Sequence, residues 1–377
     1  MKNLTTIFDK LIFTTLCASF FICKSILLPS DSFAENLKIG YIGSLTGDVA
    51  ILGEEIVRSI QVAVEQVNQA GGINGRKLEL KVEDDGYDIK RTLSAYEKLK
   101  GEINSNIIFM TTYGGLFALG KRPEKDGIVI IDTLDCNDSL VKTSQMHTCV
   151  ATRTESIGES FIRKIKENGG GSVGVLYEQE AWFNFIVDTL RKGIGKDLVE
   201  VIAPASAPDY RAEVLKLKSA GVKHIVFLGN DAMGRAMTQL RLLEIPAPFY
   251  SIASVTSPGF TQLAGKSLNG TFVSNWLIPR GDQYKKLADG FKALHQKDLT
   301  LDFVAGPSYD AATLAFSVLR KLYQETPVVS GKSIRDALTK EELNGVSGHI
   351  KMDPDGAVRS IQERIFRYED GQLIDLK

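Results

Sequence analysis

The side chains that could carry out chemistry are few, and their spacing does not suit catalysis. The neighbouring acids Asp84 and Asp85 end a predicted strand, but no third metal ligand lies near them in the sequence. The sequence contains neither a G-x-S-x-G elbow nor a P-loop, and the glycine run at 169–171 precedes a strand, whereas a dinucleotide-binding loop follows one. Four histidines occur, none at metal-ligand spacing: His147, His224, His295 and His349. We therefore expect no enzyme, no metal and no cofactor.

Residues 1–34 have the layout of a secretory signal peptide. Lys2 and Lys10 give it an early positive charge, an apolar stretch covers residues 11–23, and Ser32-Phe33-Ala34 places small residues at both cleavage-site positions. The apolar stretch is short for a membrane span, so we expect cleavage after Ala34 rather than a membrane anchor.

Export changes what the four cysteines imply. Cys17 and Cys23 leave with the signal peptide, so Cys136 and Cys149 remain, thirteen positions apart, in an oxidising compartment. These conditions favour a disulfide between them. Two unpaired buried thiols are the alternative that the sequence leaves open.

Length and charge restrict the class of protein. Of the 377 residues, 44% are hydrophobic and 24% are charged, which is a globular composition. Removing residues 1–34 takes away three lysines and two aspartates, so the remaining 343 residues have a net charge of −2 instead of −1. Nucleic-acid-binding proteins usually carry a basic excess, so we expect no nucleic acid partner. The length fits two domains of about 150 residues each.

Strands and helices alternate along the mature sequence in two successive series. Predicted strands lie near 37–42, 78–82, 106–110 and 128–131, then near 172–177, 198–202, 223–228, 248–252 and 270–275. This alternation predicts an α/β protein with two doubly wound parallel-sheet lobes. Near the C-terminus we expect a hairpin of strands 348–352 and 361–368 around the turn Asp353-Pro354-Asp355-Gly356.

Several short motifs follow one another in a characteristic order. They are Gly43-Ser44-Leu45-Thr46-Gly47, the segment 68–76 that contains Gly71-Gly72, Asp84-Asp85, Tyr309-Asp310-Ala311-Ala312 and the segment 348–356. In this order and spacing, the chain from about residue 37 to 377 resembles the extracytoplasmic solute-binding proteins of branched-chain amino-acid (leucine/isoleucine/valine) ABC transporters.

The resemblance implies a clamshell of the type I periplasmic binding fold. Its three-strand hinge is expected near residues 150–153, 274–277 and 330–332. Lobe 1 would then comprise residues 35–151 plus 277–330, and lobe 2 residues 152–276 plus 331–377. The resemblance also implies a periplasmic protein that closes around a small solute and is recognised by an ABC permease in the inner membrane. We expect it to be a monomer.

The resemblance further implies that the solute's carboxylate binds to hydroxyls and backbone amides of the first lobe. Two loops lie at the matching places, each directly after a predicted strand. Their candidate contacts are Thr112, Tyr113 and Gly114 in one loop, and Leu134, Asp135 and Cys136 in the other. Loop amides bind an anion without a formal positive charge. Alternatively, these loops only end their strands.

In the second lobe, Trp182 matches an aromatic residue that lies over the solute in the family, unless it only packs on its own lobe. The leucine-binding members carry a glutamate for the solute's ammonium where this chain has residues 251–255, which include Ser254 and no acid. A buried ammonium without a partner is costly. Asp231 is the expected replacement, with Asp135 and Glu178 as runners-up, or the solute has no ammonium.

We therefore expect the solute-binding component of an ABC importer for a small amino-acid-like or related polar solute. The alternative is a ligand-sensing periplasmic receptor for an amide, a urea-like solute or an aromatic acid.

Overall fold

Residues 35–205, 207–276 and 278–376 are described in the computed structural model of the protein. The predicted signal peptide, residues 1–34, lies outside the described residues. All elements below belong to one unit, Leu37–Lys377. Within the described part of the chain, no helix has both the length and the apolar character that crossing a membrane requires.

The first sheet has five parallel strands in the order β2-β1-β3-β4-β5. Their bounds are β1 Leu37–Gly43, β2 Leu78–Asp84, β3 Ile107–Met110, β4 Val129–Asp132 and β5 His147–Cys149. Every residue of β3 and β4 is buried, as expected for central strands covered by helices on both faces. Met110 pairs with Asp132, so the loops that follow these two strands leave the same edge of the sheet.

The second sheet has seven strands in the order β14-β13-β10-β9-β8-β6-β7. Its parallel strands are β6 Val173–Glu178, β7 Leu198–Ala203, β8 His224–Leu228, β9 Phe249–Ile252 and β10 Phe272–Asn275. The C-terminal strands β13 Arg364–Glu369 and β14 Gln372–Asp375 add to it in antiparallel fashion. The strands β11 Glu342–Gly345 and β12 Gly348–Lys351 pair only with each other in the described residues. Two α/β sheets in one chain confirm the predicted fold class.

Helices cover both sheets. They are α1 Ala50–Gln69, α2 Ile89–Glu102, α3 Tyr113–Leu119, α4 Arg122–Asp126, α5 Asp138–Val141, α6 Thr154–Glu167, α7 Ala181–Ile194, α8 Arg211–Ala220, α9 Gly234–Leu242, α10 Pro258–Ala264, α11 Asp282–His295, α12 Asp302–Glu325 and α13 Gly331–Leu338. The apolar stripe of α1 is buried, and the helix ends before Gly71 and Gly72, which have φ angles of 96° and 81°. Asp88 begins α2 by accepting a hydrogen bond from the amide of Arg91 at 2.9 Å.

The long helix α12 organises the core of the first lobe, where it packs along α1. On this helix the buried carboxylate of Asp310 accepts hydrogen bonds from the backbone amides of Val346 and Ser347 at 2.8 and 2.7 Å. These bonds attach the β11–β12 hairpin to the first lobe. The next helix, α13, packs against β4 and buries Ile334 and Leu338 in the same core.

This packing corrects the predicted boundary of lobe 2. Residues 331–361 lie in the first lobe, because α13 and the β11–β12 hairpin bury their apolar side chains there, and only β13 and β14 join the second sheet. Ser330, which the sequence placed in the hinge, begins α13 with a capping box. The chain makes its third crossing later, between Ile361 in the first core and Glu363, which is hydrogen-bonded to Ser274 of β10.

The other two crossings lie at residues 150–153 and at residues 275–276. Val150 and Ile278 pack in the core of the first lobe, whereas Ile157 packs in the second. The hairpin predicted from residues 348–352 and 361–368 does not form, because β12 pairs with β11 while β13 pairs with β10 and β14. An isolated antiparallel β-bridge between Met352 and Val358 closes the turn between these segments. The chain then crosses to the second lobe.

The predicted disulfide between Cys136 and Cys149 is confirmed, with Cα atoms 5.3 Å apart. It ties the loop after β4 to the edge strand β5. Cys149 also donates its amide to the carbonyl of Gly356 at 2.9 Å, and its carbonyl accepts from Val358 at 3.1 Å. Cys136 forms an isolated β-bridge with Arg153 of the first crossing, and Cys149 forms one with Ala357, shortly before the third crossing. The disulfide therefore holds the loop after β4 beside both of these segments.

Candidate solute-binding site

A cleft between the lobes encloses about 790 Å³, counted with its opening to solvent, at the carboxyl ends of the strands of both sheets. The first lobe contributes Ser44, Val49, Leu52, Gly53, Ile56, Tyr87, Thr111, Leu134, Asp135 and Phe303. The second lobe contributes Ile157, Glu180, Trp182, Phe183, Asn230, Ile252, Ala253 and Ser254. The crossings contribute Thr152, Ser274, Trp276 and Glu363. A solute bound here would contact both lobes and the hinge.

The sequence-predicted contacts divide into two groups. Those that line the cleft are Leu134, Asp135, Trp182 and Ser254. Those that lie outside its lining are Thr112, Tyr113, Gly114, Cys136 and Asp231. The loops after β3 and β4 do reach the cleft, but with different residues from most of those expected.

After β3, it is Thr111 rather than Thr112 that lines the cleft. Thr112 begins α3, so the chain turns away at that residue. The Tyr113 ring packs among aromatic rings of α3 and α7, and Gly114 lies against Ile89, which a Cβ atom on the glycine would meet at 2.9 Å. In the loop after β4, Cys136 is held in its disulfide.

Asp231 is not placed to replace the missing glutamate. Its carboxylate accepts a hydrogen bond from the hydroxyl of Ser257, and that hydroxyl also accepts the amide of Phe260 at 3.2 Å as the cap of α10. Asp231 therefore supports the start of α10, behind the wall of the cleft.

Two neighbouring carboxyls lie at the end of β4 and in the loop that follows it. Oδ1 of Asp132 accepts hydrogen bonds from the backbone amides of Leu134 at 2.9 Å and Asp135 at 3.1 Å, yet burial raises the pKa of Asp132 to about 7. Asp135 is 3% exposed, and burial followed by the charge of Asp132 raises its pKa well above the usual range, while the Trp182 indole acts in the opposite direction. The pair therefore favours neutral forms unless a positive charge comes near.

Two further carboxyls reach the cleft. Burial raises the pKa of Glu180 above its usual value, although hydrogen bonds from Tyr87 and Asn230 lower it. Because Tyr87 belongs to the first lobe and Glu180 to the second, this contact spans the cleft. Burial raises the pKa of Glu363 to about 7, against hydrogen bonds from Ser274 and Thr152.

Aromatic rings form much of the remaining wall. Trp182 lies tilted on Phe183 with ring centroids 5.3 Å apart, and Trp276 meets Phe303 edge-on at 5.9 Å. The indole N–H group of Trp276 is buried and has no hydrogen-bond partner among the described residues, whereas the indole of Trp182 faces the carboxyl group of Asp135. Of the described residues that line the cleft, none is lysine, arginine or histidine. No group of three or more His, Cys, Asp and Glu side chains that could hold a metal ion occurs in the described ranges.

The lobes also meet beside the cleft. The ring of Phe185 on α7 stacks on that of Phe117 on α3, with centroids 5.6 Å apart and an interplanar angle of 13°. Tyr113 meets Phe185 edge-on at 5.4 Å. These rings connect α3 with α7, as expected for a closed clamshell.

Sequence reasoning did not select several residues that line the cleft. Glu180 had a local signal, since it follows β6 and lies two positions before Trp182. Glu363 and Trp276 had none, because they reach the cleft only through the crossings of the chain.

Comparison with known proteins agrees with this architecture. A family model described as "Periplasmic binding protein" matches residues 36–372. The Leu/Ile/Val-binding protein homolog 3 of Brucella melitensis is 24% identical over 373 residues, which cover 96% of this chain and 99% of that protein. The leucine-, isoleucine-, valine-, threonine-, and alanine-binding protein of Pseudomonas aeruginosa is 24% identical over 357 residues, which cover 89% of this chain and 90% of that protein.

Solved structures show the same fold. A branched-chain amino acid transporter substrate binding protein from Streptococcus pneumoniae, in complex with isoleucine, gives a TM-score of 0.78 at 19% identity and covers 90% of this chain and 97% of that chain. A solute binding protein of an ABC transporter from R. palustris, in complex with benzoate, gives a TM-score of 0.78 at 15% identity. The match covers 90% of this chain and 95% of that chain. The fold is therefore shared by proteins whose bound solutes differ in charge.

Proposed function

Because the chain belongs to the periplasmic binding protein family of the branched-chain amino-acid type, whose members bind substrates and are not enzymes, we propose that it is the extracytoplasmic solute-binding component of an ABC importer. Its solute is a small amino-acid-like or related polar molecule, held between the lobes. Its protein partner is the permease in the inner membrane, which receives the closed form. It acts as a monomer and does not bind nucleic acid.

The observation that carries this proposal is the cleft itself. Carboxyl groups and aromatic rings from both lobes surround one space, so a solute that contacts Asp135 on one side and Glu180 on the other would stabilise closure. Neither lobe alone supplies both groups.

Within this cleft we assign the positively charged nitrogen of the solute to Glu180 and Asp135. Both carboxyls line the cleft, whereas Asp231 is engaged with Ser257 behind its wall. A buried carboxyl with a raised pKa gains more from a cationic partner than an exposed one does, because burial has removed its water.

A ligand-sensing receptor for an amide or a urea-like solute is the second candidate. The unpartnered indole N–H group of Trp276 favours it, because this group can donate to a neutral carbonyl. An aromatic acid fits less well, since the described lining has no cationic side chain to receive its carboxylate. Sensing and transport differ in the partner that recognises the closed form.

Calorimetric titration of the mature protein with amino acids, amines, amides and aromatic acids tests the proposal. Ser254→Trp fills the cleft, and Ser219→Trp makes the same change on an exposed face of α8 as a matched control. We expect any solute that binds wild type and Ser219→Trp to lose its binding to Ser254→Trp. Equal binding to both variants would exclude the cleft as the site.

Transport and export need their own tests. Deletion of the gene should abolish uptake of the bound solute, and a purified permease complex should bind the solute-loaded protein more tightly than the solute-free protein. A receptor would leave uptake unchanged. N-terminal sequencing of the periplasmic protein should begin at Glu35, as expected for cleavage after Ala34.

A further inference from the structure

We propose that the cleft selects a solute that carries a positively charged nitrogen and no carboxylate, so that an amine or amidinium binds in preference to an amino acid. This inference rests on the proposed function and deepens it, because it concerns the solute class of the same cleft. It depends on which polar groups of the lining are already hydrogen-bonded within the protein.

The two backbone amides of the loop after β4 that line the cleft are occupied. The amides of Leu134 and Asp135 both donate to Oδ1 of Asp132, at 2.9 and 3.1 Å. The protein's own carboxyl group thus takes the place that an α-carboxylate would need. A second carboxylate at this loop would find the amides of Leu134 and Asp135 taken and would meet the acid groups of Asp132 and Asp135.

The hydroxyl groups of Ser44 and Thr111, which line the cleft in the first lobe, are also engaged, whereas the buried hydroxyls of Thr112 and Thr133 lie outside the lining and have no partner among the described residues. Ser44 Oγ donates to the carbonyl of Thr46 at 2.7 Å, and Thr111 is hydrogen-bonded to the hydroxyl of Tyr41. Breaking either bond to reach a solute would leave a buried group without its partner, which costs free energy.

The hydroxyl groups of the second lobe and the hinge have partners as well. Ser254 Oγ donates to the carbonyl of Gly229 at 3.3 Å. Ser274 Oγ donates to Glu363 at 2.8 Å, and Thr152 is hydrogen-bonded to the same carboxyl group. None of these hydroxyls offers its proton to a solute carboxylate without losing an existing bond.

What the lining offers instead is carboxyl groups that can ionise when a cation binds. Asp135 and Glu180 reach the cleft from opposite lobes, beside the aromatic rings of Tyr87 and Trp182. Carboxylates and aromatic faces both attract a cationic nitrogen. The indole N–H group of Trp276 is an uncharged donor, which suits a neutral oxygen at the other end of the solute.

Proton release provides a direct signature of this selection. Asp135 faces a set of titratable and polar groups, namely Asp132, Glu155, Glu180, Tyr87, Tyr113 and Trp182. None of these groups is a cationic side chain that would stabilise the Asp135 carboxylate, so burial keeps the pKa of Asp135 raised. Binding of a cation favours the ionised carboxylate, so the protein should release a proton and bind more tightly as the pH rises. Binding of a solute carboxylate would instead favour the protonated form of Asp135, so no proton would be released.

The test uses two matched series of solutes. One consists of leucine, 3-methylbutylamine, 4-methylpentanoate and 4-methylpentanamide. The other consists of phenylalanine, 2-phenylethylamine, 3-phenylpropanoate and 3-phenylpropanamide. In calorimetric titrations, we expect the amine of at least one series to bind about tenfold or more tightly than its amino acid and its acid. Titration in buffers of different ionisation enthalpy should show proton release with the amine.

Two variants identify the groups responsible. Asp135→Asn should weaken amine binding about tenfold or more and abolish the proton release, while leaving binding of the amide nearly unchanged. Glu180→Gln should also weaken amine binding. Asp231→Asn is the matched control, because its carboxylate lies behind the wall, and should bind the amine like wild type. A melting curve of each variant checks folding, and Glu180→Gln, at a half-buried position, decides the outcome should Asp135→Asn not fold.

The possible failures are distinguishable. Tighter binding of the amino acid, the acid or the amide, or no binding by any of the eight compounds, overturns the selection for an amine. If a compound binds but Ser254→Trp does not weaken it, the proposed function fails as well.

Discussion

Glu363 accepts a hydrogen bond of 2.8 Å from the hydroxyl of Ser274, across 89 positions of the sequence. Ser274 lies in β10, just before the second crossing, and Glu363 lies at the end of the third. Thr152, on the first crossing, is hydrogen-bonded to the same carboxyl group. One buried acid therefore connects the three segments on which the lobes turn.

This arrangement predicts a pH-dependent stability. Burial raises the pKa of Glu363 from 4.5 to about 7, so between these values the folded protein keeps a proton that the unfolded chain releases. The free energy of unfolding should therefore fall as the pH rises from about 4.5 to about 7, by roughly 3 kcal/mol at most from this residue. Urea unfolding of wild type and Glu363→Gln over this range measures the effect.

Glu363→Gln should flatten that dependence, because the amide does not titrate. Asp132 and Asp310, whose pKa values are also raised, remain in both proteins and contribute equally. Parallel curves for the two proteins would show that Glu363 does not ionise within this range.

Trp182 should contribute to solute binding through both its ring and its N–H group. We expect Trp182→Ala to weaken binding about tenfold or more, because it removes an aromatic wall of the cleft. Trp182→Phe keeps a ring but lacks the donor, so its loss should be smaller. Calorimetric titration of both variants with the best solute separates the two contributions. Unchanged affinity in Trp182→Ala would mean that the indole packs only on its own lobe.

The disulfide should stabilise both the fold and the cleft. In the chain-entropy model, closing a loop of this length contributes roughly 3 kcal/mol. The double variant Cys136→Ser/Cys149→Ser should unfold at correspondingly lower urea concentration. It should also bind solute more weakly, because Asp135 directly precedes Cys136. Wild type in reducing buffer should behave like the variant, and a reductant that changed the variant as well would point to another cause.

The aromatic contact between α3 and α7 should favour closure. An aromatic pair contributes about 0.5–1.5 kcal/mol beyond its buried area, and the stack of Phe117 on Phe185 forms only when the lobes meet. Phe185→Ala should therefore shift the solute-free protein toward the open form and weaken solute binding several-fold, by about threefold to tenfold. Small-angle scattering should show a larger radius of gyration before solute is added.

Phe117→Ala should have a similar effect, and the double variant should open little further, because the two rings act as one contact. Full additivity of the two changes would indicate that each ring acts alone.

The loops after β3 and β4 show how far sequence reasoning reached. Short apolar strands separated by helices predict a parallel sheet, and parallel strands bring their following loops to one edge. The sequence therefore located both loops, and two of its candidates there, Leu134 and Asp135, line the cleft. It did not distinguish Thr111 from Thr112, because that choice depends on the residue at which α3 begins.

The C-terminal segment shows where sequence reasoning failed. The predicted strands at 348–352 and 361–368 are adjacent in sequence and separated by a turn, which favours a hairpin. In the structure β12 pairs with β11, while β13 pairs with β10, about 90 residues earlier in the chain. A local pattern predicts that a segment is extended but does not identify its partner.

The sequence by itself determined the α/β class, the two lobes and the resemblance to solute-binding proteins, because periodicity, turn residues and motif order are local properties of the chain. It favoured the disulfide, which the tertiary structure then confirmed. The tertiary structure decided which acids face the solute. Glu180 and Asp135 come from different lobes, and the amides beside Asp135 are taken by Asp132. Such contacts depend on burial and on the distance between segments remote in sequence, which no local pattern specifies.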